Sequence, residues 1–239
     1  MTGPGADELA SIAERYARRD DDESRYSLLR PEVLREVHGR QRALMRRLAQ
    51  HLRWQGGTPA LATLELVEVG CGNGSNLLEL LRLGLRAEHL TGIELLPELV
   101  ASARARLPAA VTLWQGDAST AELVEGGSDL VLASTVFSSI LDETLRQRLA
   151  AAMWRWLRPG GAVIWYDFTF DNPRNPDVRG VKPAQVRQLF PAGRMTADRV
   201  TLAPPLARAV GRWHPAWHGL LNAVPLLRTH LLAWIEKPA

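Results

Sequence analysis

The sequence predicts an α/β fold, a parallel sheet covered by helices on both faces. Three observations carry this. From residue 64 onward, strand-like and helix-like runs alternate with short connections. Glycines at positions 70, 72 and 74 join the first of those strand-like runs to a helix-like one. The length of 239 residues, 46% apolar and 23% charged, suits one large domain able to bury its own core.

In chain order, Leu9, Ile12, Ala13, Tyr16 and Ala17 recur at helical spacing, and a polar run over 18–25 ends that helix. Pro31, favourable at a first helical position, opens a second helix through Val33, Leu34, Val37, Leu44, Leu48 and Leu52. The Gly-Gly-Thr-Pro turn near residue 57 closes this preamble. Strands are then predicted over 64–69, 90–94, 111–115, 129–133 and 162–168. The helices between them are predicted over 75–83, 97–107, 120–125 and 143–157, with Pro159-Gly160-Gly161 as a tight turn feeding the fifth strand. Beyond residue 170, prolines punctuate a loop, 183–190 reads as a short helix, and 195–203 and 229–236 read as two more strands. Helical and apolar runs fill 204–228 between them.

Composition excludes several classes. The lone Cys71 forms no internal disulfide, which fits a reducing compartment. No apolar run reaches the roughly 18–20 residues of a spanning helix, and the first residues lack an apolar secretory core. A cytoplasmic protein without a transmembrane segment is the expectation. The formal charge of +3 is unevenly spread: +2 over 1–53, −5 over 54–170 and +6 over 171–239, with 27 of the 29 basic residues arginine. Arginine usage of this kind reflects either genome composition or guanidinium forks that grip phosphate or carboxylate.

The run Val67-Glu68-Val69-Gly70-Cys71-Gly72-Asn73-Gly74-Ser75-Asn76 lets a ligand lie against bare backbone. Twenty residues past Gly74, Glu94 ends the second strand, where an acid accepts from both hydroxyls of a ribose. Dinucleotide loops read Gly-x-Gly-x-x-Gly; here the third glycine comes one residue early, and Glu68 suits a cationic ligand better than a pyrophosphate. Gln115-Gly116-Asp117-Ala118 after the third strand and Leu157-Arg158-Pro159-Gly160-Gly161 before the fifth tip the balance the same way.

With EVGCGNG, GIE, QGDA and LRPGG in that order, the chain over about residues 60–170 resembles the class I S-adenosylmethionine-dependent methyltransferases. More loosely, STVFSSILD, WYDFTFDNPRNPDVRGV and LFP…TLAPPLAR resemble those of bacterial polysaccharide or secondary-metabolite pathways. The resemblance implies S-adenosylmethionine as cofactor, S-adenosylhomocysteine as product, and a Rossmann-like, seven-stranded, mostly parallel sheet ending in an antiparallel pair. It implies Glu68, Gly70 and Gly72 at the methionine end, with Cys71, Asn73, Gly74 and Leu95 in the same cradle. Glu94 would hold the ribose, Asp117 and Ala118 the adenine edge, and Ala133 and Ser134 would border methionine moiety and acceptor. Where the family often joins its last two strands tightly, this chain has the 204–228 insertion. The expected organisation is a helical cap over 1–58, a cofactor-binding core over 59–170, and an acceptor-side loop, helical insertion and last two strands over 171–239.

Methyl transfer from a sulfonium is an in-line displacement that rewards alignment and exclusion of water, and a hydroxyl acceptor adds the need for a base. Candidates are Asp167, His214 and His218, with Tyr166 as a positioning group and Asp171 as a further acid. Arg174 and Arg179, on a proline-stiffened loop, would grip an anionic acceptor group, and Phe137, Trp213 and Trp217 would wall it. His214 and His218 stand four apart, but Pro215 interrupts them and no third ligand is evident, so no metal is expected. Tyr16, Arg19 and Tyr26 would reach the cofactor from a helical lid. For each of these side chains ordinary packing or solvation is the competing reading.

The function expected is O-methylation of a small or medium acceptor, a sugar, glycan or secondary metabolite, with an anionic acceptor favoured by the basic tail. N-methylation of a metabolite or peptide amine, and a catalytically silent S-adenosylmethionine-binding or partner-binding module, are the alternatives. No recognition motif for nucleic acid is present. Trp213, Trp217, Leu220, Leu221 and Trp234 near basic residues leave a peripheral membrane contact open.

Overall fold

Strand β1 (Leu66–Val69) is buried along its whole length. It pairs in parallel with β2 (Leu90–Glu94) on one side and β4 (Ser128–Ser134) on the other. Beyond β2 lies β3 (Thr112–Gln115), and beyond β4 lies β5 (Leu157–Phe168), both parallel to their neighbours. The chain then pairs β5 with antiparallel β7 (Arg228–Glu236), which in turn holds β6 (Arg194–Leu202) at the outer edge. The order is β3-β2-β1-β4-β5-β7-β6, a seven-stranded Rossmann-like sheet. This computed structural model describes residues 4–18, 27–54, 61–172, 175–211 and 215–239.

Alternate residues of the parallel strands face opposite sides, as strand geometry requires. Val67, Val69, Ile93, Val131, Ala133, Val163 and Trp165 pack on one side with α5 (Glu143–Trp156), α6 (Pro183–Leu189) and Ile12 of α1 (Pro4–Ala17). Leu66, Leu90, Leu130, Leu132, Ile164 and Tyr166 pack on the other with α2 (Pro31–Trp54), α3 (Ser75–Leu83) and α4 (Pro97–Arg106). Two short helices, α7 (Pro204–Gly211) and α8 (Pro215–Asn222), fill the connection from β6 to β7.

Three local expectations are corrected. Residues 121–125 are not helical: Asp117 caps a three-residue 3-10 turn over Ala118–Thr120, and the following chain runs extended beneath α5, where Ala121 and Leu123 pack on the core. Pro159-Gly160-Gly161 is no free turn but part of β5, which bulges between its pairings at Leu157 and Ala162. Gly160 takes a φ of 78° there, and its N–H and the Gly161 carbonyl pair with the backbone of Lys237. Pro215 does not break a helix; it starts α8, where a missing N–H costs nothing.

Candidate functional site

The strand order reverses between β1 and β4, and the crevice at the carboxyl ends of the strands at such a switch point is where ligands of these sheets gather. A cavity of about 450 Å³ opens there. Its floor is the turn from β1 into α3. Gly70 has a φ of 63°, and a Cβ on it would stand 2.7 Å from Val136 Cγ2; Gly72 has a φ of 54°, and a Cβ there would meet nothing within 4 Å. The first glycine is needed for fit and the second leaves bare backbone facing the cavity.

Glu94, 7% exposed, closes this floor. Its Oε2 accepts the Gly72 N–H at 2.8 Å and its Oε1 accepts the Leu96 N–H at 3.0 Å. Each oxygen keeps a free lone pair, and Glu94 itself lines the cavity. Asp117 accepts from the Ser119 N–H at 2.8 Å and the Ser119 hydroxyl at 2.7 Å, which fixes the chain that brings Ala118 to the wall. Asn73 Oδ1 accepts from the Ser75 hydroxyl at 2.7 Å. Cys71 is 5% exposed beside Gly92, and burial pushes its thiol well above the ordinary range, so it fills space.

The cavity's other walls come from afar. Ser134, Thr135 and Val136 follow β4, and Leu145 and Leu149 belong to α5. Thr135 has a φ of 57°, rare for a β-branched residue and costing about 1–3 kcal/mol. Leu9, Ile12 and Tyr16 of α1 form the roof, and Arg40 of α2 stands at the side. Arg40 donates to Asn76 Oδ1 at 3.0 Å, lies 3.5 Å from Glu79 and sits 5.3 Å from the centre of the Tyr166 ring. It is the basic side chain among the described residues that line the cavity.

Of the residues expected at the cofactor, the structure therefore gathers Tyr16, Gly70, Cys71, Gly72, Asn73, Glu94, Leu95, Asp117, Ala118 and Ser134 around one cavity. It does not bring Glu68 there. That side chain is wholly buried beneath the glycine turn, accepts the Asn76 amide at 2.6 Å, and is pushed up to about 8 by desolvation. Gly74 is turned away against Leu107, and Ala133 lies in the core beneath Ser134. Arg19 and Tyr26 lie outside the described residues.

The acceptor-side expectations fare differently. Asp167 is 1% exposed and faces the α5 side of the sheet. Its Oδ2 accepts the Ser138 N–H at 3.0 Å and its Oδ1 accepts the Phe168 N–H at 2.9 Å; burial raises it to about 6. Tyr166 faces the opposite side, hydrogen-bonded to the Thr201 hydroxyl at 2.9 Å and stacked on His230 at 5.1 Å. It borders only a narrow annex of about 20 Å³ behind Arg40 and Ser134, and burial pushes its phenol up to about 12. Phe137 is fully buried, 4.4 Å from the Trp165 ring, and so walls no acceptor. His218 is 5% exposed near Arg35 and Glu32 of α2, away from the cavity lining. Asp171 accepts the Gly180 N–H at 2.9 Å and shapes its loop, while the Arg179 and Trp217 side chains are exposed and Trp234 is buried. Arg174, Trp213 and His214 lie outside the described residues. Among those described, no group of acids, histidines and cysteine could hold a metal ion.

Sequence reading missed Arg40, Thr135 and the wall from α5. Leu9 and Ile12 were legible as a helical stripe, and their position over the cavity depends on a tertiary contact. Arg40 is one of several arginines on α2, and nothing local distinguishes it.

The family described as "Methyltransferase domain" matches residues 66–161. The trans-aconitate 2-methyltransferase of Paracidovorax citrulli is 30% identical over 182 residues, spanning 71% of this chain and 67% of that protein. The fold matches an S-adenosylmethionine-dependent methyltransferase from Mesorhizobium loti with a TM-score of 0.55 at 15% identity, over 74% of this chain and 93% of that one. It also matches the phosphoethanolamine N-methyltransferase 2 of Haemonchus contortus, solved with S-adenosylhomocysteine, with a TM-score of 0.54 at 15% identity, over 80% of this chain and 53% of that one. The cavity fits such a donor: open glycine backbone on the floor, a doubly anchored acid at the end of β2, and apolar walls from Leu95, Leu96 and Leu99. The chain belongs to the class I S-adenosylmethionine-dependent methyltransferases, with S-adenosylmethionine as its methyl donor.

Proposed function

We propose that the enzyme methylates an oxygen of a small or medium acceptor, and that this oxygen is acidic: a carboxylate, or a comparably acidic hydroxyl of a secondary metabolite, rather than a sugar alcohol. The donor, when bound, supplies a methyl group on a positively charged sulfur. What the chain must add is a dry cavity, an aligned acceptor, and a base only when the acceptor oxygen carries a proton.

The observation that carries this reading is the engagement of Asp167, the acid at the carboxyl end of β5. Both its oxygens already accept backbone N–H groups, and the side chain is 1% exposed and does not line the cavity. The Tyr166 phenol is likewise held by Thr201, and a phenol at about 12 gives little phenolate near neutral pH. A carboxylate acceptor needs no base, and a guanidinium such as Arg40 is suited to hold one through charge-assisted hydrogen bonds. The Paracidovorax relative, named for the acid trans-aconitate, supports the same acceptor class.

Under this reading Gly70, Gly72, Glu94 and Asp117 hold the donor, the α1 residues seal it from water, and Arg40 orients the acceptor's anionic end. The test is a mass-shift screen with S-adenosylmethionine against carboxylic acids, phenols, sugars and amines. The expected product is a base-labile methyl ester or an acidic-hydroxyl ether. Methylated amines, or turnover of neutral sugars alone, would overturn the reading.

A further inference from the structure

The antiparallel end of the sheet places the insertion at the active-site edge. Leu202 pairs with Arg228 where β6 ends and β7 begins, and Phe168 at the carboxyl end of β5 pairs with His230 two residues on. The 203–227 connection therefore rises from the same edge as the glycine turn.

That connection exposes apolar side chains in an ordered way. Trp217 and Leu220 stand at i and i+3 on α8 and are 52% and 61% exposed; Val224 and Leu226, in the turn after it, are 43% and 82% exposed. The opposite side of α8 is anchored: His218 is buried against α2, and Arg228 donates to the carbonyls of Asn222 at 2.7 Å and Arg199 at 2.8 Å. The exposed face is thus held outward by a braced helix and is not a frayed end. Contiguous apolar faces of this kind mark interaction surfaces.

Charge selects the occupant. The chain carries 26 acids in 239 residues, yet none between Arg199 and Ile235, a stretch holding four arginines, at 199, 208, 212 and 228. Tryptophan and leucine on one face, in a segment whose own sequence holds arginine and no acid, is the composition of a helix lying in the plane of an anionic membrane interface; the acids nearest to it are Glu32 and Glu36 of α2, by His218 and Arg208. No helix among the described residues is long and apolar enough to cross a membrane, so any contact made by these helices lies at the surface.

We propose that α8 and the turn after it form a docking face for an anionic lipid bilayer, seating the rim of the methyl-transfer cavity at the membrane surface. The proposal stands on the insertion alone and does not depend on which oxygen is methylated. Its consequence is that an acceptor embedded in, or partitioned into, the interface reaches the cavity from the lipid side.

The experiment is co-sedimentation of the full chain with large vesicles of phosphatidylcholine alone and of phosphatidylcholine containing about one third phosphatidylglycerol. The expected result is binding to the anionic vesicles, little to the neutral ones, and weakening at high salt as screening sets in. The exposed double variant Leu220→Asp/Leu226→Asp should bind them about ten-fold more weakly or worse, because it places charge in the apolar contact. S-adenosylmethionine affinity of that variant, read by calorimetry, should match the parent and so show that the fold is intact. Failure of the parent chain to sediment with anionic vesicles would overturn the proposal, as would undiminished sedimentation of the double variant. Self-association of the parent that the double variant abolishes, without vesicle binding, would reassign the face to contact between copies of this chain.

Discussion

Glu8 Oε1, on the first helix, accepts the backbone N–H of Leu141 at 2.7 Å, joining residues 133 apart in sequence. The same oxygen accepts Arg15 Nη2 at 2.8 Å, and that guanidinium also donates to the Ser139 carbonyl at 2.9 Å. Helix α1 is therefore fastened over the cavity by backbone groups of the segment that follows β4, and Leu9, Ile12 and Tyr16 are held as its roof. Glu8→Ala removes the acceptor and leaves a part-buried N–H unpaired, a local cost of about 1–3 kcal/mol. The expected outcome is faster amide exchange over residues 4–17 and a roughly ten-fold weaker S-adenosylmethionine affinity, with exchange in β1 and β4 unchanged. Exchange in α1 that matches the parent would show that the roof does not depend on this clamp.

Glu94 ties the glycine turn to the start of α4 through the Gly72 and Leu96 N–H groups, so the acid preorganises the floor as well as lining the cavity. Glu94→Gln keeps the shape but turns an NH2 toward one of those donors. Donor affinity should fall about ten- to hundred-fold, equivalent to roughly 1.4–3 kcal/mol, while thermal stability falls modestly. Calorimetric titration with S-adenosylmethionine reads the first effect and a melting curve the second. An unchanged affinity would place the ribose elsewhere in the cavity.

The difference between what could and could not be read from sequence follows the range of the interactions involved. The run from Val67 to Asn76 is strand, turn and helix start in ten residues, so its glycines and the later Glu94 declare themselves locally. Residues 121–125 look helical in isolation, but packing of Ala121 and Leu123 against the core draws them out. Asp167 and Tyr166 are adjacent and both looked catalytic; strand alternation sends them to opposite faces, and each is consumed by a partner that sequence could not supply, Ser138 for one and Thr201 for the other. Arg40 reaches the cavity only because α2 crosses the sheet beside α3, and no periodicity marks it among its neighbours on that helix.

Glu68 gives a pH-dependent prediction. Its folded pKa is raised to about 8 by desolvation, from an ordinary value near 4.5, so the folded state binds a proton more tightly than the unfolded chain does. Stability from this group is then fullest at low pH and is lost as pH rises from about 4.5 through about 8. Glu36 and Asp167, raised to about 7 and about 6, act in the same direction. His230, lowered to about 4, acts oppositely, and its effect is complete once pH exceeds its ordinary 6.5. Urea unfolding above that point isolates the acids. Glu68→Gln, which keeps an acceptor for Asn76, should gain on the parent by up to roughly 1 kcal/mol per pH unit until about pH 8. A constant difference between variant and parent would mean that Glu68 is ionised throughout.

The bracket made by Asp167 separates a structural acid from a base. Its two oxygens hold the Ser138 N–H and the Phe168 N–H, so it ties the 3-10 turn after β4 to the end of β5 and thereby sets the strained Thr135 beside the cavity. Asp167→Asn presents an NH2 to one of those donors in a site that is 1% exposed. The expected loss of stability is about 1–3 kcal/mol, read as a lower urea midpoint with an unchanged slope. A proton-accepting role would instead leave its mark on the kinetics, removing the acidic limb near the group's pKa of about 6 from the pH dependence of kcat. A carboxylate acceptor supplies its own nucleophile, so the pH–rate profile of Asp167→Asn should overlay that of the parent in shape, at temperatures where both are folded. Loss of the acidic limb, with stability unaffected, would return Asp167 to the role of general base and would argue for a protonated acceptor.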